Sequence, residues 1–162
     1  MTVRIRPLER RDATACDAIV LGLPYHFGLA AGRDEAAAAV RAQLGLVAVE
    51  DETVVGFCTY VARFDASAEI TWMAVDADRR RHGIGRALIG ALSEELARSG
   101  RRLLVVLTVS PNDPGDEPDD GYQSTRRFYE QQGFVLARDL PREWDGNTAV
   151  LMAKPLGVGP GR

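Results

Sequence analysis

The chain has 162 residues, 46% hydrophobic and 27% charged, proportions ordinary for a soluble globular protein, and it carries no internal repeat. Its length suits one domain with a real core, expected over residues 1–156 with a flexible tail at 157–162. The net charge of −3 argues against general nucleic-acid binding, which favours a basic surface.

Thr2 to Arg6 reads as a short first strand. Asp12 is placed to cap a helix on which Cys16, Ile19, Val20 and Leu23 keep helical spacing, until Pro24 to Gly28 breaks it. An alanine-rich second helix is predicted from Asp34 to Leu44, stopped by Gly45. Strands follow at Leu46 to Glu50, Val54 to Phe64 and Ala68 to Val75, the first two joined as a hairpin through Asp51, Glu52 and Thr53. A helix from Gly83 to Ser99 lines Ile84, Leu88, Leu92 and Leu96 on one stripe and ends at Gly100. Leu103 to Val109 is a continuous apolar run that fits a strand buried on both faces. Strand, crossover helix and strand make a right-handed unit, so the strands flanking that helix should run parallel. A polar loop, Ser110 to Gly121, leads to a short helix and then to strands near Phe134 to Leu140 and Thr148 to Lys154.

Cys16 and Cys58 fall in apolar patterns without metal-ligand spacing, so they read as buried thiols, and no metal is expected. No signal-peptide pattern, lipidation motif or apolar run of about 18 residues is present, which makes a cytoplasmic, membrane-free location the default expectation.

The chemistry concentrates between Glu69 and Leu88, where a buried strand runs into an arginine- and glycine-rich turn that opens a helix. Glycines let backbone approach a ligand, and the first amides of a helix lack intrahelical acceptors. With the helix dipole and Arg79, Arg80, Arg81 and Arg86, they form a cradle for a pyrophosphate. A dinucleotide fingerprint fails, because Leu88 stands where the third glycine belongs and Leu103 to Val109 offers no carboxylate for a ribose. A P-loop fails as well, since its G-K-[ST] is absent and Lys154 is the one lysine.

What matches is R-x-x-G-x-G, read as Arg80, Gly83 and Gly85, which resembles the acetyl-CoA motif of the GNAT superfamily of N-acetyltransferases. STRRFYEQQGF, Ser124 to Phe134, is similar to that family's second signature, and matches in family order span roughly residues 3 to 155. The resemblance implies an α/β (α+β) fold with a mixed, mostly antiparallel sheet splayed between the fourth and fifth strands and flanked by about four helices. It implies acetyl-CoA as co-substrate, an amine as acceptor and a direct ternary-complex transfer, and it leaves a homodimer open. Two rivals keep the fold: a catalytically silent CoA-binding module, and an acyltransferase using another acyl-CoA.

Residue by residue, the resemblance assigns the pyrophosphate to backbone amides of Arg81, His82, Gly83, Ile84, Gly85 and Arg86, with Arg80 in the conventional Q/R position. The acyl arm is implied along the backbone of Met73, Ala74 and Val75, the Met73 amide facing the thioester carbonyl. Glu69 matches the general base of the histone-acetyltransferase branch, and a carboxylate there meets the need to deprotonate an ammonium. A glutamate at a strand's mouth is also often simply solvated. Tyr129 matches the tyrosine that protonates the departing thiolate, against the alternative of a core tyrosine. The family's N-x-x-A before that tyrosine is replaced by Tyr122 and Thr125, so Ser124 or Arg127 is left to face the cofactor. For the acceptor side the candidates are the acidic loop (Asp113, Asp116, Glu117, Asp119, Asp120), the segment Tyr25, His26 and Phe27, and Trp144, each with a packing or solvated alternative.

Overall fold

The computed structural model describes residues 2–24, 30–115, 122–144 and 146–157. They form β1 (Arg4–Pro7), α1 (Ala13–Leu21), α2 (Ala30–Ala42), β2 (Leu44–Glu50), β3 (Thr53–Phe64), β4 (Ser67–Val75), α3 (Ile84–Arg98), β5 (Leu103–Val109), α4 (Tyr122–Gln131), β6 (Val135–Trp144) and β7 (Asn147–Pro155). The strands make a mixed, mostly antiparallel sheet in the order β1-β2-β3-β4-β5-β7-β6, with β4 and β5 parallel as their helical crossover requires. The chain divides into two compact units, Met1–Val61 with Ile70–Ser93, and Ala62–Glu69 with Glu94–Arg162.

In the first unit, Cys16, Ile19 and Val20 of α1 and Ala36 and Val40 of α2 pack with Val47, Val49, Phe57 and Ala74 of the strands. The β2–β3 hairpin turns on Asp51 and Glu52, whose φ values of 47° and 61° are the left-handed pair that matches strand twist, so Thr53 pairs with Glu50 inside the ladder. Three sequence expectations change here. α2 starts at Ala30, ahead of Asp34, because Ala30 and Ala31 extend the helix, and it ends at Ala42. Gly45 therefore does not stop a helix. It lies in β2, where a Cβ would stand 2.5 Å from the Cys58 carbonyl oxygen and 2.9 Å from Leu8 Cδ2. Asp12 precedes α1 but makes no side-chain cap to it; its carboxylate takes the Arg6 guanidinium at 2.7 and 2.8 Å and the Glu9 amide at 2.9 Å.

In the second unit the hairpin between β3 and β4 is held by the Arg101 guanidinium on the carbonyls of Phe64 and Asp65, and by the Arg102 and Leu103 amides on the Ala66 carbonyl at 2.7 and 3.1 Å. β5 pairs antiparallel with β7 from Leu103↔Pro155 to Val109↔Ala149, and β7 pairs in turn with β6. α4 ends in a Schellman motif: Gly133 has φ 95°, its amide reaches the Glu130 carbonyl, and the Phe134 amide reaches the Tyr129 carbonyl at 3.1 Å.

Candidate functional site

The cradle belongs to the first unit. After β4, a short 3-10 turn (Ala77–Arg79) is opened by Asp76, whose carboxylate accepts the Asp78 amide at 2.9 Å. Arg79, expected in the cradle, instead donates from Nε to Glu50 at 2.7 Å, so its guanidinium is already paired. The cause is simple: Glu50 ends β2 beside the turn and neutralises the first guanidinium the turn presents.

The chain next adopts left-handed backbone at Arg81 (φ 65°) and Gly83 (φ 78°) before α3 begins. A non-glycine residue there is uncommon and points to a site that requires it. His82 Nδ1 donates to the Arg80 carbonyl at 2.8 Å, so the imidazole closes the turn. The Ala87 amide bonds the Gly83 carbonyl at 2.9 Å, which makes Gly83 the N-cap and leaves the amides of Gly83, Ile84, Gly85 and Arg86 without intrahelical acceptors. A Cβ at Gly83 would meet no atom within 4 Å, so the mouth of the helix is open. Arg80, Arg81 and Arg86 are exposed and have no side-chain partner among the described residues. Open amides, a helix N-terminus and three available guanidiniums fit a pyrophosphate such as that of coenzyme A.

The depth of α3 is set from below. Ile84 and Leu88 are buried, and Gly56 on β3 makes room for them: a Cβ at Gly56 would lie 3.0 Å from Ile84 Cγ2 and 3.3 Å from the Ala74 carbonyl oxygen. Along β4, Ala74 is buried while Met73 and Val75 are half-buried, so Ala74 is the residue of the three that sits most deeply in the core. Thr71 on the same strand bonds both Thr59, at 2.8 Å, and the Gln43 side chain. Cys16 and Cys58 are free, buried thiols, and burial pushes Cys16 up to about 12.

The second unit holds the proposed acid and base. Tyr129 on α4 is 6% exposed, with Phe128 and Phe134 edge-on to its ring at 5.3 Å each. Ser124 and Arg127 on the same helix are exposed, whereas Arg126 is buried and donates from Nη1 to the Val109 carbonyl at 2.8 Å. Sequence reasoning passed over Arg126; helical spacing from Tyr129 and Tyr122 would have found it on their face. Glu69 is not simply solvated: its side chain is 15% exposed and accepts Arg63 Nε at 2.5 Å.

The acidic loop splits. Asp113 is buried, accepting the Gly115 amide at 3.0 Å and the Thr148 amide at 2.5 Å, so it is a structural anchor and not a solvated charge. Asp116, Glu117, Asp119 and Asp120, like Tyr25, His26 and Phe27, lie outside the described residues. Trp144 is on β6, 39% exposed. Asp139, on the same strand, accepts from Asn112 and Ser110 at 2.8 and 2.6 Å, and these bonds hold its carboxyl below the usual range. No metal-binding cluster occurs among the described residues, and none of their helices is long and apolar enough to cross a membrane.

Residues 41–136, more than half of the chain, match the family of the acetyltransferase (GNAT) domain. No curated protein matches. Among solved structures the chain is similar to a GNAT-family protein from Desulfovibrio desulfuricans, with a TM-score of 0.82 and 23% identity over 96% of this chain and 100% of that one. It is also similar to the ribosomal-protein-S18-alanine N-acetyltransferase from Escherichia coli, at TM-score 0.73 and 23% identity over 98% and 96% of the two chains. A third similar structure is an aminoglycoside 6'-N-acetyltransferase complexed with coenzyme A, at TM-score 0.73 and 19% identity over 98% and 99%. At such identities the likeness establishes the fold.

Proposed function

The chain belongs to the GNAT family of acetyltransferases, and on that premise we propose that it transfers an acetyl group from acetyl-CoA to a primary amine. The observation that carries this reading is the open N-terminus of α3, with its free amides and the exposed Arg80, Arg81 and Arg86. The amine acceptor is supported by two similar structures, which act on a ribosomal-protein alanine and on aminoglycosides.

Acetyl-CoA, when bound, supplies an activated thioester. The chain's own groups do the rest. The amides of Arg81 to Arg86, with Arg80, hold the pyrophosphate, while the backbone of Met73, Ala74 and Val75 aligns the acyl arm. The Met73 amide donates to the thioester carbonyl oxygen as negative charge gathers there. Glu69, directly or through water, takes the proton of the ammonium, using the carboxylate oxygen that Arg63 leaves available. Tyr129 gives its hydroxyl proton to the sulfur of the departing thiolate.

The test is release of free thiol from acetyl-CoA across a panel of amines, with Tyr129→Phe beside the parent chain. The variant should lose about 100-fold or more in kcat, the contribution of a positioned general acid. Unchanged turnover across the pH range, with chemistry rate-limiting, removes Tyr129 as the acid. A second reading, a silent CoA-binding module, is favoured by one observation, the Arg63 contact on Glu69. It predicts binding of acetyl-CoA with no thiol release for any amine. Comparing acetyl-, propionyl- and succinyl-CoA identifies the acyl group.

A further inference from the structure

The side chains of Thr59, Thr71 and Gln43 form a chain of hydrogen bonds that the transfer reading does not use. Thr59 is fully buried, and its hydroxyl lies 2.8 Å from that of Thr71, which in turn donates to Oε1 of Gln43 at the end of α2. A hydroxyl has one proton to give, so with the Thr71 proton on Gln43, Thr59 must donate to Thr71. The polarity therefore runs outward, from buried Thr59 through half-buried Thr71 to half-buried Gln43. Threonines in such a place gain little over valines unless the direction of their bonds matters. Here that direction fixes the Gln43 amide: its oxygen is held, and its nitrogen, with two donors, has no partner among the described residues.

Order along β4 says where Thr71, the partner of Gln43, stands relative to a ligand on the transfer reading. The cradle, Arg80 to Arg86, comes after β4, and Met73 comes before the cradle. A ligand anchored by its phosphates at the cradle, with its acyl group at Met73, has Thr71 beyond its reacting end. The amine arrives on that side.

We propose that Gln43 Nε2, oriented by Thr71 and Thr59, donates to an oxygen on the acceptor, so that the preferred substrates are amines bearing a carbonyl or hydroxyl oxygen close to the reacting nitrogen. This rests on the transfer reading of β4. Gln43 is then a specificity residue, and Thr71 a positioning residue that acts through it.

The experiment is an NMR titration of the full chain, with coenzyme A present, that follows the side-chain amide resonances of Gln43, assigned by their loss in Gln43→Leu. Glycinamide and ethanolamine should shift them and propylamine should not. Thr71→Val should abolish the selective shift, and Thr71→Ser should restore it. In turnover, Gln43→Leu should raise KM for glycinamide about tenfold, the worth of one hydrogen bond, and lower the preference for glycinamide over propylamine by a similar factor, with KM for acetyl-CoA unchanged. Equal shifts for the three amines, no shift for any, or equal kinetic losses for glycinamide and propylamine overturn the proposal. A selective shift in a chain that cleaves no thioester would instead sink the transfer reading and leave oxygen recognition standing.

Discussion

Asp12 stands where a helix cap belongs, yet its carboxylate turns back to Arg6 and the Glu9 amide. The Arg6 guanidinium holds the carboxyl below its usual range. A folded-state value lowered in this way gives stability that is present above the unfolded value of about 3.9 and is lost as pH falls through the folded one. Asp12→Asn should thus cost about 2 kcal/mol at neutral pH, and the gap between variant and parent in urea denaturation should close in acid. A gap that does not narrow at all as pH falls below the unfolded value would mean that charge is not its source. At this scale the sequence is least legible. Spacing identifies a carboxylate before a helix, but the partners of Asp12, Arg79, Glu69 and Asp113 come from other strands and turns. Only Arg126 left a readable trace, because its helix carries the pattern by itself.

Elements were far more legible, since a helix or strand advertises its buried face locally. The stripe Ile84, Leu88, Leu92 and Leu96 is buried as its spacing requires, and Gly100 and Gly133 end their helices with positive φ. What the stripe does not reveal is the surface that receives it. A glycine inside a strand marks a bulge, a bend or a close approach, and Gly56 proves to be the last, giving Ile84 and Leu88 their seat. That seat sets where the α3 amides lie, so on the proposed reading packing and ligand binding are linked. Gly56→Ala should push the first turn of α3 outward, lowering thermal stability and raising KM for acetyl-CoA by about three- to tenfold, with kcat at saturation less affected. Lower stability with an unchanged KM would show that the cradle does not depend on this contact.

For the whole molecule, order along the chain made the fold readable: two signatures at family spacing, joined by a crossover helix, leave few topologies, and β4 and β5 run parallel as that crossover demands. Charge acts at the same scale but in the opposite sense from the site. The chain carries −3 overall, which repels an anionic ligand at long range, while on the proposed reading the exposed Arg80, Arg81 and Arg86 attract it locally. The local attraction should dominate, so acetyl-CoA binding measured by calorimetry should weaken about tenfold or more as the screening length falls from about 30 Å in dilute salt to about 3 Å near 1 M. Replacing all three arginines with glutamine subtracts three positive charges and takes −3 to −6. Only repulsion then remains, and added salt should strengthen whatever binding survives. The sign of the salt dependence therefore discriminates where a simple loss of affinity cannot, because a damaged fold would weaken binding at every ionic strength. Parent-chain affinity indifferent to salt would mean that the cradle holds its ligand by amides and shape alone, with the arginines as bystanders.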